Sequence, residues 1–372
     1  MDKLNRDELF SLAILLDLPS LISLCRTNKR FSEKICNQEE IWVYHLQKNF
    51  PDYKSLNLKK SKREIYQSLY GIHEVKEKLK RKESVYELYN LHELYLSDID
   101  ITEIPGSLGN LVNLRKLNLN SNQLTRIPAS LGNLVNLQIF YLSYNKLTEI
   151  PVSLGNLTNL RELYLSHNNL TEIPASLGNL INLQQLDLSF NKLTEIPVSL
   201  GSLINLQELD LHNNNLKEIP ESLGNLINLK MLDFSGNNLT KLPVGIGNLT
   251  NLERLVSSYN QLREIPESLG NLVNLEIFSL QNNQLKQIPA SLGNLVNLET
   301  LPLSYNKLTE IPETLGNLIN LKVLHLSYNK LTEIPESLSN LVNLVDFSLY
   351  NNPLTKQEKM RLKRRFENII KF

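Results

Sequence analysis

The sequence predicts an α/β solenoid, a horseshoe with a concave parallel sheet, carrying a small all-α domain at its N-terminus. Three observations predict it. Leucines recur every 23 residues from Leu91 to Leu344, twelve copies of the unit LxxLxLxxNxLTxIPxSLGNLxN, a period that marks stacked structural repeats. Residues 1 to about 50 lack that period but carry helix-start signals. The 372 residues are 41% hydrophobic and 21% charged, a globular composition, with no apolar run long enough to cross a bilayer. The expected domains are a helical region at 1–50, a helical linker and N-terminal cap at 51–90, the twelve repeats at 91–354, and a C-terminal capping helix at 355–372.

In the N-terminal region, Asn5 with Glu8 and Asn37 with Glu40 have capping-box spacing and predict helix starts. Asp17 is placed to cap a helix through Leu21, Leu24 and Cys25,. Leu9, Leu12, Leu15, Leu16, Ile22, Phe31, Ile35, Ile41, Trp42 and Leu46 supply apolar mass for three or four short helices. A further helix is expected near Glu74 to Lys82, and Val85 and Leu88 fall at positions 18 and 21 of a half-repeat.

Each repeat position has a physical task. Positions 4 and 6 point inward from a short strand and positions 3 and 5 outward, by the period of two. The asparagine at position 9, from Asn122 to Asn352, should turn inward and pair backbone groups otherwise buried unbonded. Eleven of the fifteen prolines, Pro105 to Pro335, stand at position 15, where no ladder donor is needed. Gly109 and its equivalents at position 19 suit a crowded turn,. Two departures mark weak points: Ser257 replaces an inward leucine, and Pro302 enters a strand, removing a ladder donor. Leu362, Phe366, Ile369 and Ile370 form one apolar stripe on a helix that should cover the last repeat,.

This unit resembles the 23-residue typical class of leucine-rich repeat, with Ile-Pro at the usual LP step. The first 40 or so residues resemble an F-box through Leu4, Asp7-Glu8-Leu9-Phe10, Leu15-Leu16, Asp17-Leu18-Pro19-Ser20-Leu21, Leu24-Cys25, Asn28-Lys29-Arg30-Phe31 and Ile41-Trp42. Asn5 and Phe31 depart from it, where many F-boxes have Pro and Trp. The layout is similar to F-box/leucine-rich-repeat proteins of large DNA viruses. The resemblance implies a substrate receptor of a Skp/cullin/F-box ubiquitin ligase, in which Leu4, Leu9, Leu16, Leu18, Pro19, Leu21 and Leu24 dock on a Skp-type adaptor. A plain helical cap over the first repeat is the alternative for this region, and a ubiquitin-independent scaffold or signalling regulator is the alternative for the chain.

Composition narrows the function. Residues 1–90 carry net +4, residues 91–353 net −9 and residues 354–372 net +5. An acidic middle argues against a nucleic-acid surface. The basic runs at 76–82 and 363–365 read as import signals or solvated helix faces,. Cys25 and Cys36 are too few for a disulfide framework,, so the expectation is a reduced chain in the cytoplasm (a host cell's, for a viral chain), with the nucleus also open. No phosphate loop, HExxH or CxxC occurs, and no enzyme, cofactor, metal or membrane partner is expected. His212 keeps company with Asp187, Asp210 and Asp233, but an open sheet supplies rows of ligands rather than a converging pocket. The remaining candidate is a client-binding concave face: Tyr95, Tyr141, Tyr144, Glu162, Tyr164, His167, Asp187, Phe190, Glu208, Asp210, His212, Asp233, Tyr259, Tyr305 and Tyr328. Exposed aromatics serve as interface anchors; lateral stacking along the sheet is the structural alternative.

Overall fold

Two local chemistries build this chain, side-chain caps at its N-terminus and repeat-to-repeat ladders after it. The computed structural model describes residues 3–367 and 369–372. It resolves into two compact units: one holds residues up to Leu94 together with Ile104–Arg115 and Ser130–Asn136, the other Tyr95–Glu103, Lys116–Ala129 and Leu137–Phe372.

In the first unit, α1 (Arg6–Ala13) starts at the predicted box of Asn5 and Glu8, and α2 (Leu18–Thr27) starts where the Asp17 carboxylate accepts from the Ser20 N–H at 3.0 Å. A turn, α3 (Lys29–Phe31), runs into a π-helical turn over Ser32–Cys36. Asn37 closes that turn through a bond from its N–H to Ser32 O, so it does not cap α4 (Glu39–Asn49) as expected; Gln38 occupies the cap and makes no side-chain bond. The helix expected near Glu74 to Lys82 is α5 (Lys62–Lys78), started by a box of Ser61 and Glu64, and α6 (Val85–Tyr89) follows from a box of Ser84 and Glu87. Val85 and Leu88 are buried, as a half-repeat requires.

The core of this unit collects Leu9, Leu21, Phe31, Ile41, Trp42 and Leu46. The Trp42 indole N–H donates to Cys36 O at 2.8 Å, and His45 Nε2 lies 3.1 Å from Ala13 O. Burial pushes the His45 imidazole below its usual range, because a buried charge loses its hydration. The expectation of reduced cysteines is corrected: Cys25 and Cys36 are disulfide-bonded, with their Cα atoms 5.9 Å apart. The tight turn between α2 and Cys36 brings the two thiols together, a proximity their count did not reveal.

The repeats form parallel strands in chain order, from β1 (Glu93–Tyr95) to β12 (Asp346–Ser348). A thirteenth strand, β13 (Ile370–Lys371), pairs with β12, one strand more than expected. The C-terminal helix therefore ends early: α7 (Lys356–Arg365) buries Leu362, and Phe366 packs on Phe347, but Ile369 and Ile370 leave the helix. Phe347 N–H and Leu349 N–H, at the open end of the sheet, find acceptors on Ile369 and Lys371, which a helix there would not supply.

Three side-chain ladders tie neighbouring turns. Asn168 Nδ2 donates to Leu142 O at 2.9 Å and Leu165 O at 3.0 Å, while its Oδ1 accepts from Leu147 N–H at 3.0 Å. At position 17, Ser176 Oγ donates to Val152 O at 2.7 Å, and at position 23, Asn182 Nδ2 donates to Thr158 O at 2.8 Å. Between them, 3₁₀ turns such as Ala175–Asn179 follow each proline. A Cβ on Gly178 would stand 2.4 Å from Ser199 O, so position 19 needs glycine for close packing. Ser257 is fully buried and its hydroxyl has no partner, as the inward register requires. Pro302 stays in β10 (Thr300–Pro302), which matches β9 (Ile277–Ser279) at Thr300 alone but matches β11 (Val323–His325) at three residues.

Candidate protein-binding face

Positions 3 and 5 of most strands and position 8 after them present side chains to solvent; Ser279 and Ser348, at position 5 of β9 and β12, are buried. At position 5, Tyr141 and Tyr164 stack with centroids 4.9 Å apart. Lys116 at position 3 lays its ammonium 5.5 Å from the Tyr95 ring centre and 5.3 Å from that of Tyr141, so this row already holds a cation against aromatic faces. The Tyr164 hydroxyl lies 3.1 Å from Glu162 Oε2 and 2.5 Å from Gln185 Oε1. Burial and the Glu162 charge push that phenol well above its ordinary range.

Downstream, Asp187, Asp210 and Asp233 are register partners on three successive strands, β5 (Gln185–Asp187), β6 (Glu208–Asp210) and β7 (Met231–Asp233). Each turns one oxygen onto its own loop. Asp187 accepts from Ser189 N–H and Oγ, Asp233 from Ser235 N–H and Oγ, and Asp210 from His212 N–H, with His212 Nδ1 at 2.6 Å. The bond to Asp210 and the neighbouring carboxylates hold the His212 pKa above its usual value. Burial, with the Asp210 charge added, raises that of Asp233. Ligand atoms of Asp210, His212 and Asp233 lie within 4.8 Å of one another, but Nδ1 is committed to Asp210, which suits a polar stripe. Glu208 is exposed beside them.

Position 8 carries the other aromatics. Tyr144 stacks on His167 at 4.2 Å, His167 on Phe190 at 4.1 Å, and Phe190 meets His212 edge-on at 4.7 Å. Tyr305 and Tyr328 stack at 4.2 Å in a separate pair, and Tyr259 stands between Gly236 and Asn282. Stacking and exposure coexist: Tyr144 is 56% exposed, Phe190 40% and Tyr259 58%. The structure thus gathers Tyr141 through Asp233 into one acidic-aromatic stretch and leaves Tyr259 and the Tyr305–Tyr328 pair apart from it.

Sequence reasoning missed the backbone of position 8. Tyr144, His167, Phe190, Tyr259, Tyr305 and Tyr328 all have φ between 50° and 59°, the left-handed region that bulky residues avoid. The signal was present: the same position holds Asp98, Ser121, Asn213, Gly236 and Asn282 in other repeats, residues that tolerate this conformation. It also missed the Lys116 contact.

The seven adaptor-docking candidates separate by burial. Leu9, Leu18 and Leu21 are inside the helical core; Leu4, Leu16 and Leu24 are half-buried; Pro19 is exposed. Leu15, 79% exposed, lines a cavity of about 550 Å³ with Leu16, His45, Phe50, Tyr66 and Tyr70.

The family described as Leucine-rich repeat region matches residues 69–195, 175–278 and 263–364. No curated protein matches the chain. Among solved structures, a leucine-rich-repeat protein of Leptospira interrogans is 34% identical over 78% of this chain and 87% of its own, with a TM-score of 0.57. An internalin of Listeria monocytogenes is 26% identical over 81% of this chain and 94% of its own, TM-score 0.61. The Arabidopsis receptor kinase HAESA, solved with the peptide hormone IDA and the co-receptor SERK1, is 36% identical over 71% of this chain and 47% of its own, TM-score 0.63. Among the described residues, no helix is long and apolar enough to cross a membrane.

Proposed function

Because the chain belongs to the leucine-rich-repeat proteins, a fold that mediates protein–protein contact, we propose that it is a non-enzymatic adaptor holding a client protein against the strand face between Tyr141 and Asp233. The observation that carries this is the aromatic row in left-handed backbone. Asparagine and glycine fill that conformation in neighbouring repeats, so the fold does not demand tyrosine or phenylalanine there. Strain kept at such cost is a mark of a working surface. The client is a protein with basic groups to face Asp187, Glu208, Asp210 and Asp233 and apolar groups to cover Tyr144 and Phe190.

Two readings divide on the N-terminal helices. In the first, the chain is a client receptor of a Skp/cullin/F-box ubiquitin ligase. Leu4, Leu15, Leu16, Pro19 and Leu24 form the apolar contact for a Skp-type adaptor, and other subunits supply the chemistry. In the second, the chain is a ubiquitin-independent binding protein. The Cys25–Cys36 disulfide favours the second, because such bonds persist in oxidising compartments and are rare in the cytosol,. Co-purification of the full chain with a recombinant Skp-type adaptor, with and without reductant, separates them. Capture by the reduced chain, lost in Leu15→Asp while the helical circular dichroism is kept, supports the ligase reading. Failure in both redox states removes it.

A further inference from the structure

The row at position 8 holds a gap with a ring on each side. Tyr259, Asn282 and Tyr305 occupy it in three successive repeats and share left-handed backbone, with φ of 55°, 56° and 59°. Their side chains therefore leave the loop in one direction. Upstream, Tyr144, His167 and Phe190 complete the same pattern: the His167 ring lies 4.2 Å from one neighbour and 4.1 Å from the other. Asn282 puts a short amide where His167 puts a ring. At a strand spacing of about 4.8 Å, Tyr259 and Tyr305 stand about 9.6 Å apart, room for one planar group between them. Such a group would lie in stacking range of both rings. The far face of Tyr305 is covered by Tyr328 at 4.2 Å. The bond to Tyr328 holds the Tyr305 phenol above its ordinary range and the Tyr259 phenol adds to this, so Tyr259 stands within electrostatic reach across the gap. Elsewhere in the row, Ser121 and Asn351 have a ring on one side only, and at Gly236 the Asn213 Oδ1 lies where a side chain would start.

The floor and the rim of the gap decide what enters it. The Asn282 amide is half-buried and bonds to none of the described residues, so it offers a donor and an acceptor at the floor. Positions 3 and 5 of the same three repeats hold Arg254, Val256, Ile277, Ser279, Thr300 and Pro302, with no carboxylate among them. At the rim, Lys307 reaches back along position 10 and donates to Gln284 Oε1 at 3.3 Å, which sets an exposed ammonium beside the Asn282 loop. A nucleobase would also stack here, but a phosphate chain needs clustered cations, and residues 91–353 carry net −9. We propose that the gap over Asn282 is a binding slot for one tyrosine or tryptophan side chain of a client polypeptide. The phenol O–H or indole N–H meets the Asn282 amide, and a neighbouring carboxylate of the client meets Lys307. The slot rests on the client reading for its polypeptide partner, but not on the stretch from Tyr141 to Asp233.

The full chain tests this by proton NMR with three probes: the capped tripeptide Glu-Trp-Glu, its Glu-Leu-Glu counterpart, and adenosine monophosphate. The indole protons should move upfield, because a ring is held over each of their faces, with a dissociation constant of about 1 mM or below. The leucine peptide should bind at least fivefold more weakly, since it gains no ring stacking on either wall. Tyr259→Asn or Tyr305→Asn removes one wall and should weaken the tryptophan peptide about fivefold. Lys307→Gln should weaken it about threefold at low salt. Asn282→His supplies the missing ring from the chain itself, as His167 does upstream, and should abolish the indole shift with both walls kept. Histidine tolerates this backbone, and an unchanged melting curve checks the fold of each variant. The readout is the slot's own ring-current shift, so it can fail while client capture by the stretch from Tyr141 to Asp233 holds, and the reverse. No indole shift at about 5 mM peptide, a shift that persists in Asn282→His, a leucine peptide that binds as tightly, or adenosine monophosphate binding more tightly than the tryptophan peptide overturns the proposal.

Discussion

The repeat array and the helical N-terminal region are held by different means. In the array, each turn copies its neighbour, and Asn168 or Asn191 satisfies backbone groups on two adjacent turns at once. Loss of one rung should therefore be felt locally but sharply. In the helical region no residue repeats its task. Trp42, His45, the caps at Asn5, Asp17 and Ser61, and the Cys25–Cys36 bond each act once. Periodic structure is specified many times over, whereas the aperiodic unit depends on a few particular contacts.

The largest expected effect lies in the array. Asn191→Ala removes four buried hydrogen bonds and leaves Leu170 N–H unpaired, while Leu165 O and Leu188 O keep their bonds from Asn168 and Asn214, so about 4 kcal/mol should be lost, read as an earlier urea transition. A loss below 1 kcal/mol would mean water replaces the ladder. Next, Cys25→Ser with Cys36→Ser opens a loop of 11 residues, which should cost about 3 kcal/mol in the helical region. Hydrogen exchange should rise in α1, α2 and α4 and not in the strands; protection lost equally everywhere would contradict the division of labour.

Smaller effects sharpen the comparison. Ser257→Ala removes a buried hydroxyl without a partner and should stabilise the array by about 1 kcal/mol. Ser257→Leu should not improve on alanine, because Phe234, in the same inward column one repeat earlier, is larger than the usual leucine and takes up the room. His212 gives the smallest effect. Its folded pKa is raised, so its contribution to stability is full below the unfolded value and fades as pH rises through the folded one. The melting temperature of the wild type should fall slightly across that window relative to His212→Gln. Equal pH profiles would show that the Asp210 contact is neutral to folding.

What was legible in the sequence follows the same division. The period alone placed the inward leucines, the asparagine ladder and the inward Ser257. The caps at Asn5 and Asp17 were legible as local signals. Ser61-Lys62-Arg63-Glu64 was equally legible as the start of α5, since Ile65, Leu69, Ile72 and Val75 after it keep helical spacing. The disulfide was not legible, because Cys25 and Cys36 meet only through a π-helical turn that no spacing rule predicts. Nor was β13: the stripe of Leu362, Phe366, Ile369 and Ile370 fits a helix, and the unpaired edge of β12 draws Ile370 and Lys371 into a strand. On the candidate face, the outward positions could be read, but the left-handed backbone of position 8 needed coordinates.

The proposed binding face depends on position 8 being shaped for a partner rather than for the fold. The most direct measurement compares the wild type with Tyr144→Asn and Phe190→Asn combined, by urea unfolding and by quantitative capture of bound proteins from the same lysate. Asparagine relieves the left-handed strain while stacking on His167 is lost, and each term is about 1 kcal/mol. The unfolding free energy should therefore stay within about 2 kcal/mol of the wild type, while proteins captured by the wild type are no longer retained. A variant that keeps them, or one that loses far more stability than this, would show that the aromatics serve the fold and that the strand face is not the binding surface.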